Sequence, residues 1–411
     1  MTEPSSPAVP AAQPLLAGAG GAPAHGPARR GHLAVICATY AVAAIVFNVA
    51  PGFISALIDG YHFTETEAGL VATADMLAMA ATGFLAGPAL ARRSRRRLLG
   101  AGAALVALGN ALSVVVGSLG GLLATRVVAG VGTGLLLVFA NTMAATTRNP
   151  TRSYGLATMT ATVVGAFLLV VTPMVVSAAG YESFFVILAV FGAVVALFVP
   201  GEPAAPAATP AAETGTDRLS PALLRLLSVA AMAMMVVQSA FYAFAQQAGE
   251  DAGLSSGAAG AVLSVGYIGG IVTSALAAWL GNRWGRWTPV ALGMVLQAAA
   301  SVVVLSGPGA TVAGAALIAQ SATLFFGIPY LLALNAEADA SGRFSNIGVG
   351  LFFLSLAVGP FVGGLLLDAF GYAGVAVAVV VGTVAGLIAL APVTRALAAR
   401  DADRTTAAPG A

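Results

Sequence analysis

Lysine is absent from this 411-residue chain, and all 18 basic residues are arginine. No G-x-x-x-x-G-K-[ST] phosphate loop can therefore exist, which removes ATP hydrolysis by that route. Charge of either sign is scarce. Only 8% of residues are Asp, Glu, Lys or Arg, against about a quarter in soluble domains. The single cysteine, Cys37, excludes an internal disulfide and any paired-thiol redox motif. Three histidines (His25, His32, His62) lie outside the long apolar runs, so neither a haem nor a metal site is expected, nor any cofactor. No His/Asp/Glu or Ser/Lys cluster falls at one depth, so an enzyme is not expected. A sensor would bring a soluble output domain, and no segment is long enough for one.

What the chain does have is apolar length. Hydrophobic residues make up 59% of it, and mean hydropathy is +0.93. A spanning helix needs about 20 mostly apolar residues. The sequence supplies many such runs, divided by short clusters of Arg, Asp, Glu, Gly and Pro. The ten-residue alternation of a membrane barrel does not occur. The expected class is an all-α membrane protein of twelve transmembrane helices, over 33–57, 67–91, 98–117, 119–145, 154–178, 183–199, 222–246, 256–280, 288–306, 310–335, 345–368 and 373–393. Residues 1–31, rich in Ala, Pro and Gly, read as a disordered cytoplasmic tail without the layout of a cleavable signal. Residues 200–221 form the one long Pro-rich polar stretch inside the chain and read as a cytoplasmic linker. The expected domains are bundles of six helices at 32–199 and 222–396, followed by a tail at 397–411.

Arginine placement sets orientation. With the N-terminus cytoplasmic, 17 of the 18 arginines fall on the inner side and Arg126 alone lies within a helix. The opposite loops hold Asp59, Glu65, Glu67, Glu182, Glu250, Asp251 and Asp368 but no Arg. Both termini are expected inside, in a bacterial cell (inner) membrane.

The two halves repeat. GPALARRSRRRLL (87–99) follows the second span and AWLGNRWGRWTPV (278–290) the eighth, with Arg92 matching Arg283 and Arg95 matching Arg286 at an offset of 191. Asn141 matches Asn335, and Gly165 matches Gly359, at 194. Parallel repeats of this kind describe one common transporter architecture. On these residues the chain resembles the major facilitator superfamily over about residues 32–396. The family's loop signature is matched by Leu280, Gly281, Asn282, Arg283, Gly285 and Arg286, with Asn282 in the acid's place. The first copy keeps Gly87, Arg92, Arg95 and Arg96 but has Ala91 and Ser94 where the acid and glycine belong. The resemblance implies a cytoplasmic gate at this loop; a topogenic positive cluster accounts for the same arginines. Arg126 with Gly130, Gly132 and Gly134 is similar to the family's fourth-helix pattern, often linked to proton-coupled export. Gly359-Pro360-x-x-Gly363-Gly364 is similar to its antiporter motif, displaced here from the fifth helix to the eleventh.

Asp75 and Arg126 are the ionisable residues at similar depth in one bundle. Such residues are costly in lipid and usually line an aqueous path or pair with each other. They are the candidates for proton coupling, with a static salt bridge as the alternative. Uncharged polar groups on helices that face the family's central cavity are Tyr40, Asn48, Asn141, Gln238, Tyr242, Gln246, Gln320, Tyr330 and Asn335. Gln238, Tyr242 and Gln246 share one helix face at i, i+4, i+8. They suit a small amphipathic substrate, or serve as interhelical hydrogen bonds. Pro329 within Phe325–Tyr330 is expected to interrupt the tenth span as a hinge. The acids after Asn335, Glu337 and Asp339, are placed to pair with the arginine loops. Partners are a small molecule, protons and the lipid bilayer, with no nucleic acid, and the chain is expected to act as a monomer. The leading function is proton-coupled efflux of a hydrophobic or amphipathic compound, and the alternative is proton-coupled uptake of a small organic acid or nutrient.

Overall fold

The computed structural model describes residues 30–85, 93–147, 149–198, 219–281, 283–307, 309–339 and 343–407. The described residues are almost entirely helical. The elements are α1 (Arg30–Asn48), α2 (Ala50–Tyr61), α3 (Glu65–Leu85), α4 (Arg95–Val115), α5 (Leu119–Ala145), α6 (Pro150–Ala179) and α7 (Ser183–Ala196), then α8 (Pro221–Ala243), α9 (Ala245–Asp251), α10 (Ser256–Leu280), α11 (Trp287–Leu305), α12 (Ala310–Ala338) and α13 (Arg343–Ala407). Among the described residues, eight helices are each long and apolar enough to cross a membrane, and the bent α1–α2 pair passes as a ninth. Helices suit this setting because they satisfy every backbone polar group internally.

Several expected boundaries shift, and backbone chemistry explains most of the shifts. The first span breaks at Val49 with a bend of 51°. Pro51 has no N–H to return to the preceding turn. The seventh span breaks at the corresponding place, Phe244, between α8 and α9. Pro329 does not interrupt the tenth span: α12 runs unbroken through it. The carbonyl a proline orphans belongs to Phe325, and the Ser274 hydroxyl on α10 donates to it at 3.0 Å. Pro360 is treated alike, with Ser239 on α8 donating to the Leu356 carbonyl at 2.7 Å. The eleventh and twelfth spans run together as α13, turned at Gly371 (φ 61°), and the helix continues to Ala407 rather than ending near 393. The left-handed φ at Gly371 is open to glycine at little cost.

Packing rests on small residues that let backbones meet. In the first half, Gly102 on α4 abuts Leu136 and the Gly132 carbonyl on α5; in the second, Gly293 on α11 abuts Phe326 and Gly327 on α12. Gly165 on α6 packs against Asn48 of α1, and its repeat partner Gly359 on α13 packs against Ser239 and Ala240 of α8. The sequence repeat is thus also a repeat of contacts.

α1–α7 pack chiefly on one another, as do α8–α13, and two helix pairs, α3 with α13 and α6 with α10, carry most of the contact between the groups. These seams are tight where the chain carries its acidic loops. A Cβ on Gly69 would lie 2.3 Å from the Pro360 carbonyl oxygen, and one on Gly364 would lie 2.2 Å from that of Glu65. Across the same seam Thr66 N–H donates to Asp368 at 3.0 Å, and Phe361 N–H donates to the Thr73 hydroxyl at 3.1 Å.

Candidate functional site

Arg126 and Gly130 are one helical turn apart on α5 and so share a face. That face meets α3. A Cβ on Gly130 would stand 2.2 Å from the Asp75 carbonyl oxygen, so the glycine is what lets the two backbones approach. The result is an ion pair sealed inside the first group of helices. Arg126 Nη1 donates to Asp75 Oδ2 at 3.2 Å, and each side chain is only 1% exposed.

Three further groups hold the guanidinium. Nη2 donates to Ser113 Oγ at 2.7 Å, to Asn110 Oδ1 at 3.0 Å and to the Gly109 carbonyl at 3.3 Å, all on α4. Ser113 in turn donates to Thr125 at 2.7 Å. The Phe185 and Phe53 rings lie 5.0 and 6.0 Å from the guanidinium carbon, a cation–π arrangement. Removing two charges from water costs more than their attraction returns unless hydrogen bonds satisfy the remaining groups. Here both terminal guanidinium nitrogens are engaged and only Nε lacks a partner among the described residues, whereas Arg126 is the one donor to the carboxylate. Among the described residues Asp75 Oδ1 is buried with no partner. A small cavity opens beside it, lined by Val42, Ile45, Val46, Asn110, Thr133 and Phe191 among others. Asn110, Ser113, Phe53 and Phe185 were not singled out from sequence. The signal for two of them was present: Asn110 and Ser113 stand i, i+3 in an otherwise apolar span.

The neutral candidates separate. Asn48 and Tyr242 come together, with the Tyr242 hydroxyl donating to the Asn48 carbonyl at 2.9 Å. Tyr267, a further residue sequence reasoning passed over, donates to Asn48 Oδ1 at 3.4 Å, and Asn48 Nδ2 donates to the Ala161 carbonyl at 2.9 Å. One residue at the helix break thereby ties α1 to α6 and α10 through its side chain and to α8 through its backbone carbonyl. Gln246 donates to Glu250 and Ser256. Tyr330 donates to the Ala277 carbonyl, and Tyr40 pairs with Thr158. Gln238 is buried with both amide atoms unpartnered among the described residues; Asn141 and Asn335 each leave Oδ1 unpartnered. Gln320 stands in α12 where Arg126 stands in α5, at the offset that pairs Asn141 with Asn335. It is fully buried and accepts from Ser321. The second half therefore holds a neutral amide at the place of the first half's charge.

At the arginine-rich end, Gly87, Arg92 and Asn282 lie outside the described residues. Arg95 is half-buried and Arg96 exposed. Gly285 turns the loop with φ 73°. Arg286 bridges Glu337, the last turn of α12, and Asp401, late in α13, the latter at 2.6 Å. Burial works against the Arg286 charge, but the Asp401 and Glu337 carboxylates outweigh it and hold its pKa above the ordinary arginine value. Gly363 meets the Ala240 carbonyl and Gly364 the Glu65 backbone, so Gly359-Pro360-x-x-Gly363-Gly364 is a seam joining α13 to both α8 and α3.

The sequence profile described as Major Facilitator Superfamily matches residues 36–336. No curated protein sequence matches the chain. Among solved structures, a bacterial homolog of the human lysosomal transporter Spinster, inward-facing and unoccupied, superposes with a TM-score of 0.67 at 17% identity, over 91% of this chain and 97% of that one. A variant of the nucleoside transporter NupG gives a TM-score of 0.68 at 13% identity, over 90% of this chain and 99% of that one. A variant of the peptide transporter POT gives 0.71 at 15% identity, over 91% and 97%.

Proposed function

The chain belongs to the major facilitator superfamily, and on that premise we propose that this membrane transporter exports a hydrophobic or amphipathic small molecule in exchange for protons, by alternating access. The observation that carries the reading is the asymmetry of the buried pair. Asp75 keeps one carboxylate oxygen free beside a cavity, whereas Arg126 has three other acceptors and two aromatic faces. Protonating Asp75 removes one partner of Arg126 and leaves the rest of its coordination in place. A carboxylate whose partner stays put when it is neutralised can be loaded and unloaded without dismantling the bundle. Arg126 is then the fixed counter-charge and Asp75 the proton carrier.

The cargo follows from what surrounds the junction of the halves. Gln238, buried with both amide atoms unpartnered among the described residues, supplies a neutral donor and acceptor one turn from Tyr242 on α8, next to the neutral cluster of Asn48, Tyr242 and Tyr267. A carboxylate substrate would need compensating cations away from water, and Arg126 is already paired. The same proposal takes twelve spans in two bundles, 32–199 and 222–396, joined by the 200–221 linker. Both termini are cytoplasmic, in a bacterial inner membrane, and the monomer is the working unit. The distribution of arginines and acids between the two ends supports that orientation.

The test uses the full chain in proteoliposomes with an imposed pH gradient and a panel of hydrophobic compounds. Gradient-driven movement is expected, abolished by an uncoupler. Asp75→Asn should lose it while retaining downhill exchange. In cells, deletion should raise compound sensitivity. Loss of growth on one carbon source with unchanged tolerance would instead establish uptake.

A further inference from the structure

All three tryptophans of this chain, Trp279, Trp284 and Trp287, fall within nine residues at the arginine-rich end of α10 and the start of α11. They are 65%, 54% and 41% exposed. Arg283 stands among them with its guanidinium carbon 4.9 Å from the Trp279 ring centroid. Its neighbour Arg286 is neutralised by Glu337 and Asp401, but among the described residues no carboxylate pairs with Arg283. Trp287 is fixed in place by donating its indole N–H to the Leu387 carbonyl on α13, at 3.4 Å.

The patch does not stand alone. Val265, Ile268, Val272, Leu276 and Trp279 recur at three- and four-residue intervals along α10, and all are exposed large hydrophobics. That spacing is one face of a helix, and in a membrane-spanning chain it is a lipid-facing stripe about 20 Å long. It ends at the uncompensated cation. Arginine above an aromatic face is held by cation–π attraction and keeps its N–H fork for phosphate oxygens. Indoles prefer the headgroup level of a bilayer, where the ring is apolar and the N–H can donate.

We propose that Trp279, Arg283 and Trp284 form a binding site for one anionic phospholipid, its phosphate on Arg283 and an acyl chain along the α10 stripe. A zwitterionic lipid fills the same stripe but cancels the charge that Arg283 would compensate. The first half has no equivalent, because its loop carries arginines without a tryptophan. The occupied site would pin α10, which packs against α6 at the junction of the halves, to one leaflet.

Because every tryptophan lies in the patch, the chain's intrinsic fluorescence reports on this site without labelling. The full chain is reconstituted in phosphatidylcholine vesicles containing either brominated phosphatidylglycerol or brominated phosphatidylcholine at equal mole fraction. Quenching should show a selectivity for the anionic lipid of about fivefold, the ratio expected for one cation at an anionic surface. Arg283→Gln should bring the two quenchers level, and Arg152→Gln, an exposed arginine on α6, should leave the selectivity unchanged. Equal quenching in the unmodified chain overturns the proposal. So does selectivity that survives Arg283→Gln, or that Arg152→Gln abolishes equally, since a diffuse surface charge would then be responsible. Helical content by circular dichroism in the same vesicles separates loss of the site from loss of fold.

Discussion

The Tyr242 hydroxyl donates to the Asn48 carbonyl at 2.9 Å, joining the second half of the chain to the first at the point where the first span breaks. The break makes the bond available, since a carbonyl inside an uninterrupted helix is already engaged by its own ladder. The free Asn48 carbonyl is thus a consequence of the break at Val49, and it serves as a clasp between the halves.

Tyr242→Phe removes that clasp and keeps the ring packing. One hydrogen bond contributes about 1 kcal/mol, so the balance between closed and open seams should shift about fivefold toward opening at the acidic end. Maleimide labelling of Val46→Cys in a Cys37→Ser background measures it, because Val46 is buried with Met76 and Ala357 at that seam. Unchanged labelling would show that the bond is not a gate element.

Arg126→Ala leaves Asp75 as a buried unpaired charge and strips the acceptors on α4 of their donor. Breaking a buried pair in this way costs about 3–5 kcal/mol, read as a lower midpoint of thermal unfolding in detergent. Arg126→Ala combined with Asp75→Asn should recover part of the loss, because the uncompensated charge is gone. A double variant no more stable than Arg126→Ala alone would show that the α4 contacts, not the ion pair, hold the arginine.

Gly130→Ala should lower the unfolding midpoint, by about 1–3 kcal/mol of overpacking, and weaken proton-driven transport together with it. Its added methyl must push α3 away from α5 at the Asp75 carbonyl. Gly120→Ala is the control, since nothing stands within 4 Å of a Cβ there. Equal behaviour of the two variants would exclude the close approach as the determinant of the pair's geometry.

Glu337→Gln should destabilise only slightly, by under about 1 kcal/mol, because partly exposed ion pairs are screened. Asp401 remains to hold Arg286, so the two carboxylates back each other up. The effect should shrink further at high salt. A large, salt-independent loss would mean that Glu337 has a burial role beyond its charge.

Composition and periodicity determined the solvent, and through it the fold. A chain with 8% charge and runs of about 20 apolar residues has one consistent solution in lipid, a bundle of helices. Charge asymmetry between loops and a repeat offset near 191–194 were legible for the same reason, since they are properties of order along the chain. Asp75 and Arg126 could be singled out because charge in an apolar run is rare enough to stand out. Tertiary structure alone decided what each of them touches. That Gly130 permits the α3–α5 approach, that Asn110 and Ser113 complete the arginine's shell, and that Ser274 and Ser239 take up carbonyls orphaned by Pro329 and Pro360 depend on which helix faces meet. Helix faces in lipid carry little sequence signal, because the side toward a neighbour and the side toward acyl chains are both apolar. The same ambiguity kept Tyr40, Gln246 and Tyr330 together on paper, and packing dispersed them to different partners.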